Sequence, residues 1–476
     1  MPNIRVFVDF GSTFTKVAAF DLDEETLLAR VQSPSTVDTD VTVGLRRALD
    51  ELRRVAPADG NAIRSAEACS SAAGGLRLAV IGLVPDYTTK AGYLAALGAG
   101  AKVVSSFSYE MSRSEVRQLE DSRPDIVLLT GGTDGGNKRA IVHNAAALAA
   151  SSVRSIIVAG NKSARDDIED ALSGAGKLVT YAPNVMPEFG RLELDPVNER
   201  IREMFISRIT DAKGISRVSG IIAGVLMPTP AAVLEAAKLI ADGAPPAEQV
   251  RRGRGGHPAE SGLGELLLVD VGGATTDVYS IARGDPRDGV HLLGLREPYA
   301  KRTVEGDLGL FHNLDTLAAI TSDKMPIDER ADFERGVEKL RAVLSVPRGE
   351  TPEKYQLALT REAVRTAVYR HAGRVEPVRT SDGEVWIQRG KDLSGVGLVI
   401  GAGGPLSFSR DPLSALEGAA ADSAAPDVLA PRAPAYMLDD RYILFAIGLL
   451  ARSEPEKALR IAKKYLVGLG GAATSI

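Results

Sequence analysis

The sequence predicts an α/β protein made of duplicated lobes, in which mixed sheets are flanked by helices. Strand-like apolar runs alternate with helical patterns up to about residue 184, as is typical of sheets covered on both faces. A strand–turn–strand pattern, VDFGSTFTKVAAF at 8–20, recurs as VDVGGATTDVYSI at 269–281. A repeat at this long separation indicates a duplicated domain and not a short solenoid period.

Composition and charge exclude several classes of protein. The 476 residues are 44% hydrophobic and 25% charged, with a net charge of −5 that offers no basic surplus to nucleic acid. The basic run RRGRGGHP at 251–258 is interpreted as a solvated loop. The single cysteine, Cys69, excludes an internal disulfide, and the five histidines lack metal-ligand spacing. With no signal-peptide pattern and no apolar run near ~20 residues, we expect a cytoplasmic protein that binds neither nucleic acid nor membrane.

Periodicity predicts the elements of the N-terminal half in order. The predicted strands are 4–10, 15–22, 27–33, 75–83, 101–107, 125–132, 155–160 and 177–184. The predicted helices are 43–55, 85–100, 112–124, 138–151, 164–174, 196–217 and 230–243. Ser112 is a predicted helix cap, and Pro228 with Pro230 enforces a break before the last helix.

Two segments are predicted to be linkers or exposed loops because they are rich in proline and small or charged residues. They are 244–262 and 411–435. We place the boundary at the first, which gives an N-terminal lobe over 1–262 and a C-terminal lobe over 263–476. The tail that follows the second loop shows apolar residues at helical spacing and predicts a terminal pair of helices.

The repeated pattern predicts two phosphate-binding turns, the first turn (residues 9–16) and the second turn (residues 270–277). The matched pairs are Asp9 and Asp270, Gly11 and Gly272, Thr15 and Thr276, and Val17 and Val278. Glycines let backbone N–H groups approach an anion, and Ser or Thr hydroxyls add donors. For either copy alone, a tight hairpin with turn-forming Asp and Gly is the competing interpretation.

Magnesium chemistry explains the acidic residue at the end of each strand. Asp9 and Asp270 could hold Mg²⁺ directly or through water, because Mg²⁺ prefers oxygen ligands and keeps several waters. Lys16 adds a positive charge for phosphate in the first turn. Two such turns facing each other would hold a polyphosphate between two lobes.

A third motif, VGLVIGAGGPLS at 396–407, ends a predicted buried strand in the glycine turn (residues 401–405). Bare backbone at Gly401, Gly403 and Gly404 could let an adenine or its ribose lie close. Neither G-x-x-x-x-G-K-[ST] nor G-x-G-x-x-G occurs, so the P-loop and Rossmann fingerprints are missing.

These three motifs together resemble the superfamily of acetate and sugar kinases, the heat-shock chaperone ATPase and actin. The resemblance implies two ribonuclease-H-like lobes with ATP and Mg²⁺ in the cleft between them. It implies that phosphate or Mg²⁺ is contacted by Asp9, Gly11, Ser12, Thr13 and Lys16 of the first turn and by Asp270, Gly272, Gly273, Thr275 and Thr276 of the second. Gly401, Gly403 and Gly404 match the adenosine motif.

A narrower resemblance covers nearly the whole chain. The segments LLTGGTDGGN, VAGNKSARDDI, VLMPTPAAVLEAAK, EPYAKRTVEGDLGL and YMLDDRYILFAIGLLA are similar to the MutL/GlmL family, which is unrelated to the mismatch-repair protein called MutL. The resemblance implies a reactivating chaperone that uses ATP to release damaged cobalamin from an adenosylcobalamin-dependent mutase such as glutamate mutase. The cobalt-ligating pattern Asp-x-His-x-x-Gly is missing, which indicates action on a cobalamin enzyme and not cobalamin binding through that motif.

Catalytic roles are predicted for two aspartates. Asp270 would orient the attacking water or a Mg²⁺-bound water, with Asp9 organising Mg²⁺ from the opposite lobe. Asp134, in the glycine-rich turn TGGTDGGN at 130–137, is a second candidate for positioning water, and a helix-capping loop is the alternative there. Asp277 could instead cap its turn.

Other candidates remain open. Arg302, Glu305 and Asp307 could border the nucleotide or the partner surface, or could form a surface salt-bridge cluster. Cys69 and Trp386 are interpreted as core or edge residues. Three other kinds of protein have this fold: a small-molecule kinase, an actin-like filament protein and a hydantoinase-type ATP-dependent enzyme. Simple assays would distinguish each of them from a reactivating chaperone.

Overall fold

The computed structural model describes residues 3–36, 39–56, 60–71, 76–211, 218, 220–244, 260–341, 350–381 and 383–470. Its strands are β1 (Ile4–Phe10), β2 (Phe14–Asp21), β3 (Thr26–Pro34), β4 (Glu67–Ser70), β5 (Arg77–Gly82), β6 (Lys102–Ser108), β7 (Ile126–Leu129), β8 (Ser155–Val158), β9 (Leu178–Tyr181), β10 (Gly224–Pro228), β11 (Gly243–Ala244), β12 (Glu260–Ser261), β13 (Leu266–Val271), β14 (Thr276–Ile281), β15 (Val290–Leu292), β16 (Ala300–Glu305), β17 (Arg374–Thr380), β18 (Gly383–Arg389), β19 (Leu398–Ala402), β20 (Ala435–Leu438) and β21 (Val467–Leu469).

Its helices are α1 (Val41–Val55), α2 (Gly60–Arg64), α3 (Lys90–Gly98), α4 (Arg113–Asp121), α5 (Arg139–Ala149), α6 (Arg165–Leu172), α7 (Asp195–Asp211), α8 (Thr229–Asp242), α9 (Leu314–Asp323), α10 (Ile327–Leu340), α11 (Glu350–His371), α12 (Gly404–Ser407), α13 (Pro412–Leu416), α14 (Leu444–Leu450) and α15 (Pro455–Tyr465). Within the described ranges, no helix has both the length and the apolar character that crossing a membrane requires.

The duplication predicted from the repeated turns is confirmed by the order of the strands. The N-terminal sheet runs β10-β4-β1-β2-β3, and the C-terminal sheet runs β20-β19-β13-β14-β16 with β21 added beyond β20. In both, the first two strands form an antiparallel hairpin, the third continues it antiparallel, and the remaining two lie parallel to the first. The two lobes therefore have the same mixed topology, as the predicted fold class requires.

An inserted domain (residues 76–211) lies between β4 and β10 of the N-terminal sheet. Its five strands are all parallel, in the order β6-β5-β7-β8-β9. Separate apolar cores cover its two faces, because its strands are continuous buried runs such as Ile126–Leu129. This domain accounts for the regular strand–helix alternation in the N-terminal half. Ser112 caps α4 through a capping box with Glu115, as predicted.

Helices α8 and α14 occupy equivalent places in the two lobes, each following the fifth strand of its sheet, and they pack on each other in one shared core. They cross very closely, because a Cβ built on Gly448 would lie 1.8 Å from the carbonyl oxygen of Ala232. Only glycine allows this approach. The crossing fixes how the two sheets face each other.

The prediction for the segment 411–435 is wrong in part. The segment begins with helix α13, and Leu416, Ala419 and Ala430 are fully buried in the C-terminal core. Its alanines and prolines were interpreted as loop formers, but here they pack against α11. Residues 245–259 of the other predicted loop lie outside the described residues. The predicted domain boundary at 262 is close to this segment and stays a prediction.

We predict that Gly448→Ala destabilises the protein by about 1–3 kcal/mol or more, because the added methyl group forces α14 away from α8. Chemical denaturation of the purified variant would measure the change. Gly468→Ala is the matched control, since a Cβ at Gly468 meets no atom within 4 Å. Equal stability of the two variants would contradict the close crossing.

Candidate functional site

A cleft of about 290 Å³ lies where the first strands of the two lobes end. Residues from both lobes and from the inserted domain line it. From the predicted site these are Asp9, Gly11, Ser12, Thr13, Lys16, Asp270, Gly272, Gly273, Thr275 and Gly404. The structure therefore brings together most of the residues that the repeated turns and the glycine turn predicted.

The two turns have the same backbone geometry. The N–H of Gly11 donates to the carbonyl of Phe14 at 3.1 Å, and the N–H of Gly272 donates to the carbonyl of Thr275 at 2.9 Å. A Cβ would lie 2.7 Å from that carbonyl oxygen at Gly11 and 2.9 Å at Gly272. Glycine is thus required at the same point of both turns, which is stronger evidence for duplication than sequence similarity alone.

Asp9 holds the first turn together. Its side chain is 1% exposed and accepts hydrogen bonds from Lys16 Nζ at 2.9 Å and Thr229 Oγ1 at 2.6 Å. The thiol of Cys69 lies 3.7 Å from Asp9 Oδ1, so the cysteine contacts a site residue although it was interpreted only as a core or edge residue. Burial raises the pKa of this thiol, which keeps it protonated.

Lys16 stays charged despite its buried position. Burial lowers its pKa, but the facing Asp9 carboxylate and the Tyr442 side chain outweigh burial and hold the pKa above its ordinary value. The ammonium lies 4.0 Å from the centre of the Tyr442 ring. Tyr442 itself has φ of 56°, in the left-handed region that bulky side chains rarely adopt. A permanent cation is therefore fixed beside the first turn.

Asp270 is the least satisfied carboxylate of the cleft. Burial, followed by the nearby charge of Asp277, raises its pKa from 3.8 to about 7. Burial likewise raises the pKa of Asp439 to about 6, although that carboxylate accepts hydrogen bonds from the N–H groups of Ile443 and Leu444. Together with Asp9, these groups crowd negative charge at one end of the cleft. A bound cation would relieve that repulsion.

The donor set fits Mg²⁺ that is held partly by water. In the described part of the chain no three acidic, histidine or cysteine side chains form a direct metal cage. Mg²⁺ commonly takes only one or two carboxylates and completes its shell with water and substrate phosphates. Asp9 and Asp270, at equivalent strand ends, are the carboxylates that would serve.

A loop from the C-terminal lobe supports the second turn. The N–H groups of Leu310 and Phe311 donate to the carbonyls of Gly272 and Gly273 at 3.1 and 2.9 Å. Thr276, predicted to contact phosphate, is fully buried and donates its hydroxyl to the carbonyl of Leu308 at 2.8 Å. The position of Thr276 favours a structural role, and Thr275 is the threonine that lines the cleft.

The glycine turn contributes unequally. Gly404 lines the cleft, whereas Gly401 packs on Leu416 and Gly403 has φ of 95°. A Cβ at Gly403 would lie 2.6 Å from Asp270 Oδ1, so this glycine permits the Asp270 carboxylate its position. Gly401 and Gly403 therefore support the conformation of the glycine turn and do not line the cleft.

Arg30 and Phe408 extend the cleft near the glycine turn. The guanidinium carbon of Arg30 lies 5.9 Å from the centre of the half-exposed Phe408 ring and 5.6 Å from that of Tyr442. Its Nε is buried and has no hydrogen-bond partner among the described residues. A ligand oxygen in the cleft would satisfy this donor.

Asp134 lies outside the cleft lining. It accepts hydrogen bonds from Asn184 Nδ2 at 2.9 Å and from the N–H of Lys162 at 3.0 Å, and it pairs with the Lys162 ammonium. These contacts join the loops after β7, β8 and β9 at one edge of the inserted domain. These contacts hold Asp134 away from the cleft, and its catalytic role stays a prediction that the geometry does not support.

The residues of the motif KRTVEGDLGL have two different placements: one lines the cleft, and two belong to a salt-bridge cluster. Arg302 is buried, lines the cleft and pairs with Asp277 at 2.6 Å. Glu305 and Asp307 instead pair with Arg370 at 2.7 and 2.8 Å and form a salt-bridge cluster. Trp386, on β18, is 44% exposed at the outer three-stranded sheet.

Several site residues were missed by the sequence reasoning. They are Arg30, Lys102, Thr229, Phe408, Asp439 and Tyr442. The repeat itself carried a signal for two of them, because Thr229 and Asp439 both follow the fifth strand of their sheets, where α8 and α14 begin. The others come to the cleft from distant segments with no local motif.

Comparisons with known proteins identify a family. A family model described as "MutL protein" matches residues 5–466. The chain is 42% identical over 471 residues to "Protein MutL" of Clostridium tetanomorphum, covering 97% of this chain and 99% of that protein.

Solved structures give weaker likenesses. The ethanolamine utilization protein EutJ from Carboxydothermus hydrogenoformans is 10% identical with a TM-score of 0.29, over 96% of this chain and 90% of that one. A xylulose kinase from Brucella ovis is 11% identical with a TM-score of 0.34, over 96% and 92%. Because these scores are low, the fold assignment rests on the strand order described above.

The raised pKa of Asp270 predicts a pH-dependent cost of folding. Between about pH 4 and 7, the folded state keeps a proton on Asp270 that the unfolded state has released. The stability that this group contributes is therefore present below pH 4 and is lost as the pH rises through 7. Asp270→Asn removes this loss. We expect the nucleotide-free variant to be more stable than the wild type by roughly 1–3 kcal/mol at pH 8, with the difference vanishing toward pH 4.

Denaturation curves at pH 4.5 and 8 would measure this effect. Asp288→Asn is the control, because Asp288 is an exposed aspartate remote from the acidic cluster. A pH-independent difference between the wild type and Asp270→Asn would contradict the crowded carboxylate.

Proposed function

The chain belongs to the MutL protein family, and from this premise we propose that it is a cytoplasmic ATPase that reactivates an adenosylcobalamin-dependent mutase such as glutamate mutase. ATP and Mg²⁺ would bind in the cleft between the lobes. The mutase would be the protein partner, and release of damaged cobalamin would be the outcome. One observation carries the nucleotide part: two turns closed by the equivalent glycine N–H hydrogen bond meet in a single cleft.

The turns suit a polyphosphate. Each is closed tightly by a glycine at which a Cβ would meet the turn's own carbonyl oxygen. A tight glycine turn of this kind can direct its remaining backbone N–H groups toward phosphate oxygens. Ser12 and Thr13 add hydroxyl donors from one lobe, while the Thr275 hydroxyl, which lines the cleft from the other, donates to Asp277 Oδ2. Phosphate binding requires a nearby positive charge. Lys16 supplies this charge, whereas the aspartates of the cleft are negative.

Hydrolysis requires mainly positioning and charge neutralisation. The Asp270 carboxylate accepts no hydrogen bond from a described residue, so it is free to orient a water and to accept that water's proton. Lys16 neutralises charge on the phosphates. Bound Mg²⁺, held from Asp9 and Asp270, would supply further charge neutralisation and a fixed shell of water.

Work on a partner would follow from lobe movement. The lobes contact each other through α8 and α14, so nucleotide binding to both turns favours a closed arrangement of the two sheets. Only a nucleotide that binds the closed and open arrangements with different affinity can drive such a change. Family membership supports a cobalamin mutase as the partner, and the missing Asp-x-His-x-x-Gly pattern favours action on another protein's cobalamin.

We predict that Asp270→Asn still binds ATP but hydrolyses it at least about 100-fold more slowly, because the carboxylate that positions and deprotonates water is lost. Steady-state ADP release and equilibrium binding of ATP would be measured on the same preparation. Wild-type turnover in the variant would sink the assignment. Acceptor-dependent ADP release with small alcohols would instead favour the kinase alternative.

The partner assignment predicts that the wild-type protein with Mg²⁺ and ATP releases inactive cobalamin from glutamate mutase and restores turnover when fresh coenzyme is added. Asp270→Asn should bind ATP and fail to sustain repeated release. Absorbance of the freed cobalamin after rapid gel filtration would be the readout. Equal release with and without ATP would contradict the proposal.

A further inference from the structure

One turn of the inserted domain reaches the cleft. This sensor turn (residues 98–102) joins α3 to β6, and its Gly100 and Lys102 line the cleft. Gly100 has φ of 91°, and a Cβ there would lie 2.8 Å from Pro228 Cβ. The sensor turn therefore packs on the start of α8, beside the Thr229 that holds Asp9.

Arg302 ties the same turn to the second turn. Its Nη1 donates to the carbonyls of Leu97 at 3.1 Å and Ala101 at 3.0 Å. Its Nε donates to Asp277 Oδ1 at 2.8 Å, and Asp277 Oδ2 accepts from Thr275 Oγ1 at 3.1 Å. A continuous chain of hydrogen bonds therefore links a residue that faces the ligand to the inserted domain.

The chemistry of this link depends on an arginine. The two carbonyls lie at the C-terminal end of α3, where the helix dipole places partial negative charge and favours a cation. The guanidinium of Arg302 is 4% exposed and uses its planar set of donors on two carbonyls and one carboxylate at once. A lysine could keep the charge but could not reproduce that geometry.

Lys102 differs from the two paired cations of the cleft, as Arg30 also does. Lys16 and Arg302 are paired with Asp9 and Asp277, whereas Lys102 forms no ion pair with any acidic side chain that the structure describes. A Cβ at Gly306 would lie 3.4 Å from Lys102 Nζ, so this glycine leaves space for the ammonium. An uncompensated, half-buried cation in a phosphate cleft points to an anionic ligand.

Strand order indicates which phosphate lies near Lys102. Across the C-terminal sheet, β19, β13, β14 and β16 are successive neighbours. The glycine turn follows β19, the second turn joins β13 to β14, and Arg302 lies on β16, three strand spacings or about 14 Å from β19. A nucleotide with its adenosine at Gly404 and its phosphates at the second turn directs its last phosphate toward β16 and Lys102.

We propose that Lys102 binds the terminal phosphate of ATP and that Arg302 positions the sensor turn for this contact, so that the inserted domain distinguishes ATP from ADP. This inference rests on the proposed nucleotide function. With ADP, the Lys102 ammonium loses its ligand and the sensor turn is held by Arg302 and α8 alone. The inserted domain is then freer to shift, which carries the nucleotide state to a surface outside the cleft.

Binding measurements on charge variants test the contact. For Lys102→Met we expect affinity for a non-hydrolysable ATP analogue to fall about 10-fold or more, the size of a lost hydrogen bond to a charged group, with ADP affinity unchanged. Lys102→Arg should keep most of the ATP preference. Lys138→Met, at an exposed lysine of the inserted domain, is the matched control.

The outcomes separate the two proposals. A wild-type protein that binds neither nucleotide overturns the proposed function. A Lys102→Met variant with the wild-type ratio of ATP to ADP affinity overturns the sensor and leaves the proposed function standing.

Hydrogen exchange tests the link through Arg302. In the wild type, amides of residues 94–108 should exchange at least several-fold more slowly with the ATP analogue than with ADP. Arg302→Lys should lose this difference and should lower the affinity for the ATP analogue more than the affinity for ADP, whereas a merely structural role would lower both alike. Equal exchange of residues 94–108 in the wild type with either nucleotide would contradict the proposed sensor. Because this comparison uses only the wild type, it tests the proposal even if Arg302→Lys fails to fold.

Discussion

The crossing of α8 and α14 is the constraint on which the site depends. At this crossing, the carbonyl oxygen of Ala232 occupies the space that any side chain at Gly448 would need. The two helices follow equivalent strands of two equivalent sheets, so fixing the helices also fixes the sheets. As a result, the ends of β1 and β13 face one cleft, and Asp9 and Asp270 meet there although 261 positions separate them in the sequence.

The cleft concentrates negative charge that the protein compensates only in part. Asp9 is paired with Lys16 and Asp277 with Arg302, but Asp270 accepts no hydrogen bond from a described residue and holds its proton up to about pH 7. Such an arrangement costs folding free energy. This cost is expected in a binding site, because Mg²⁺ and a polyphosphate would supply the missing counter-charges. The folding free energy lost in the ligand-free protein would then be recovered when the ligand binds.

The sequence predicted what is local along the chain. Both turns, the glycine turn and most of the inserted domain's strands and helices were recoverable because each depends on a short run of residues with its own glycine or apolar pattern. Tyr442 and Lys102 were not, because the C-terminal lobe and the inserted domain bring them to the cleft by tertiary packing, without a local motif. Asp134 shows the converse: a glycine-rich turn after a buried strand looked like part of the site, but tertiary packing uses it to join loops of the inserted domain.

The central claim is that two duplicated turns hold one Mg·ATP between the lobes. A crystal structure with Mg²⁺ and a non-hydrolysable ATP analogue tests it most directly. We predict phosphate oxygens within hydrogen-bond distance of backbone N–H groups in both turns, with the metal beside Asp9 and Asp270. A nucleotide that contacts only one turn, or that binds outside the cleft, would contradict it.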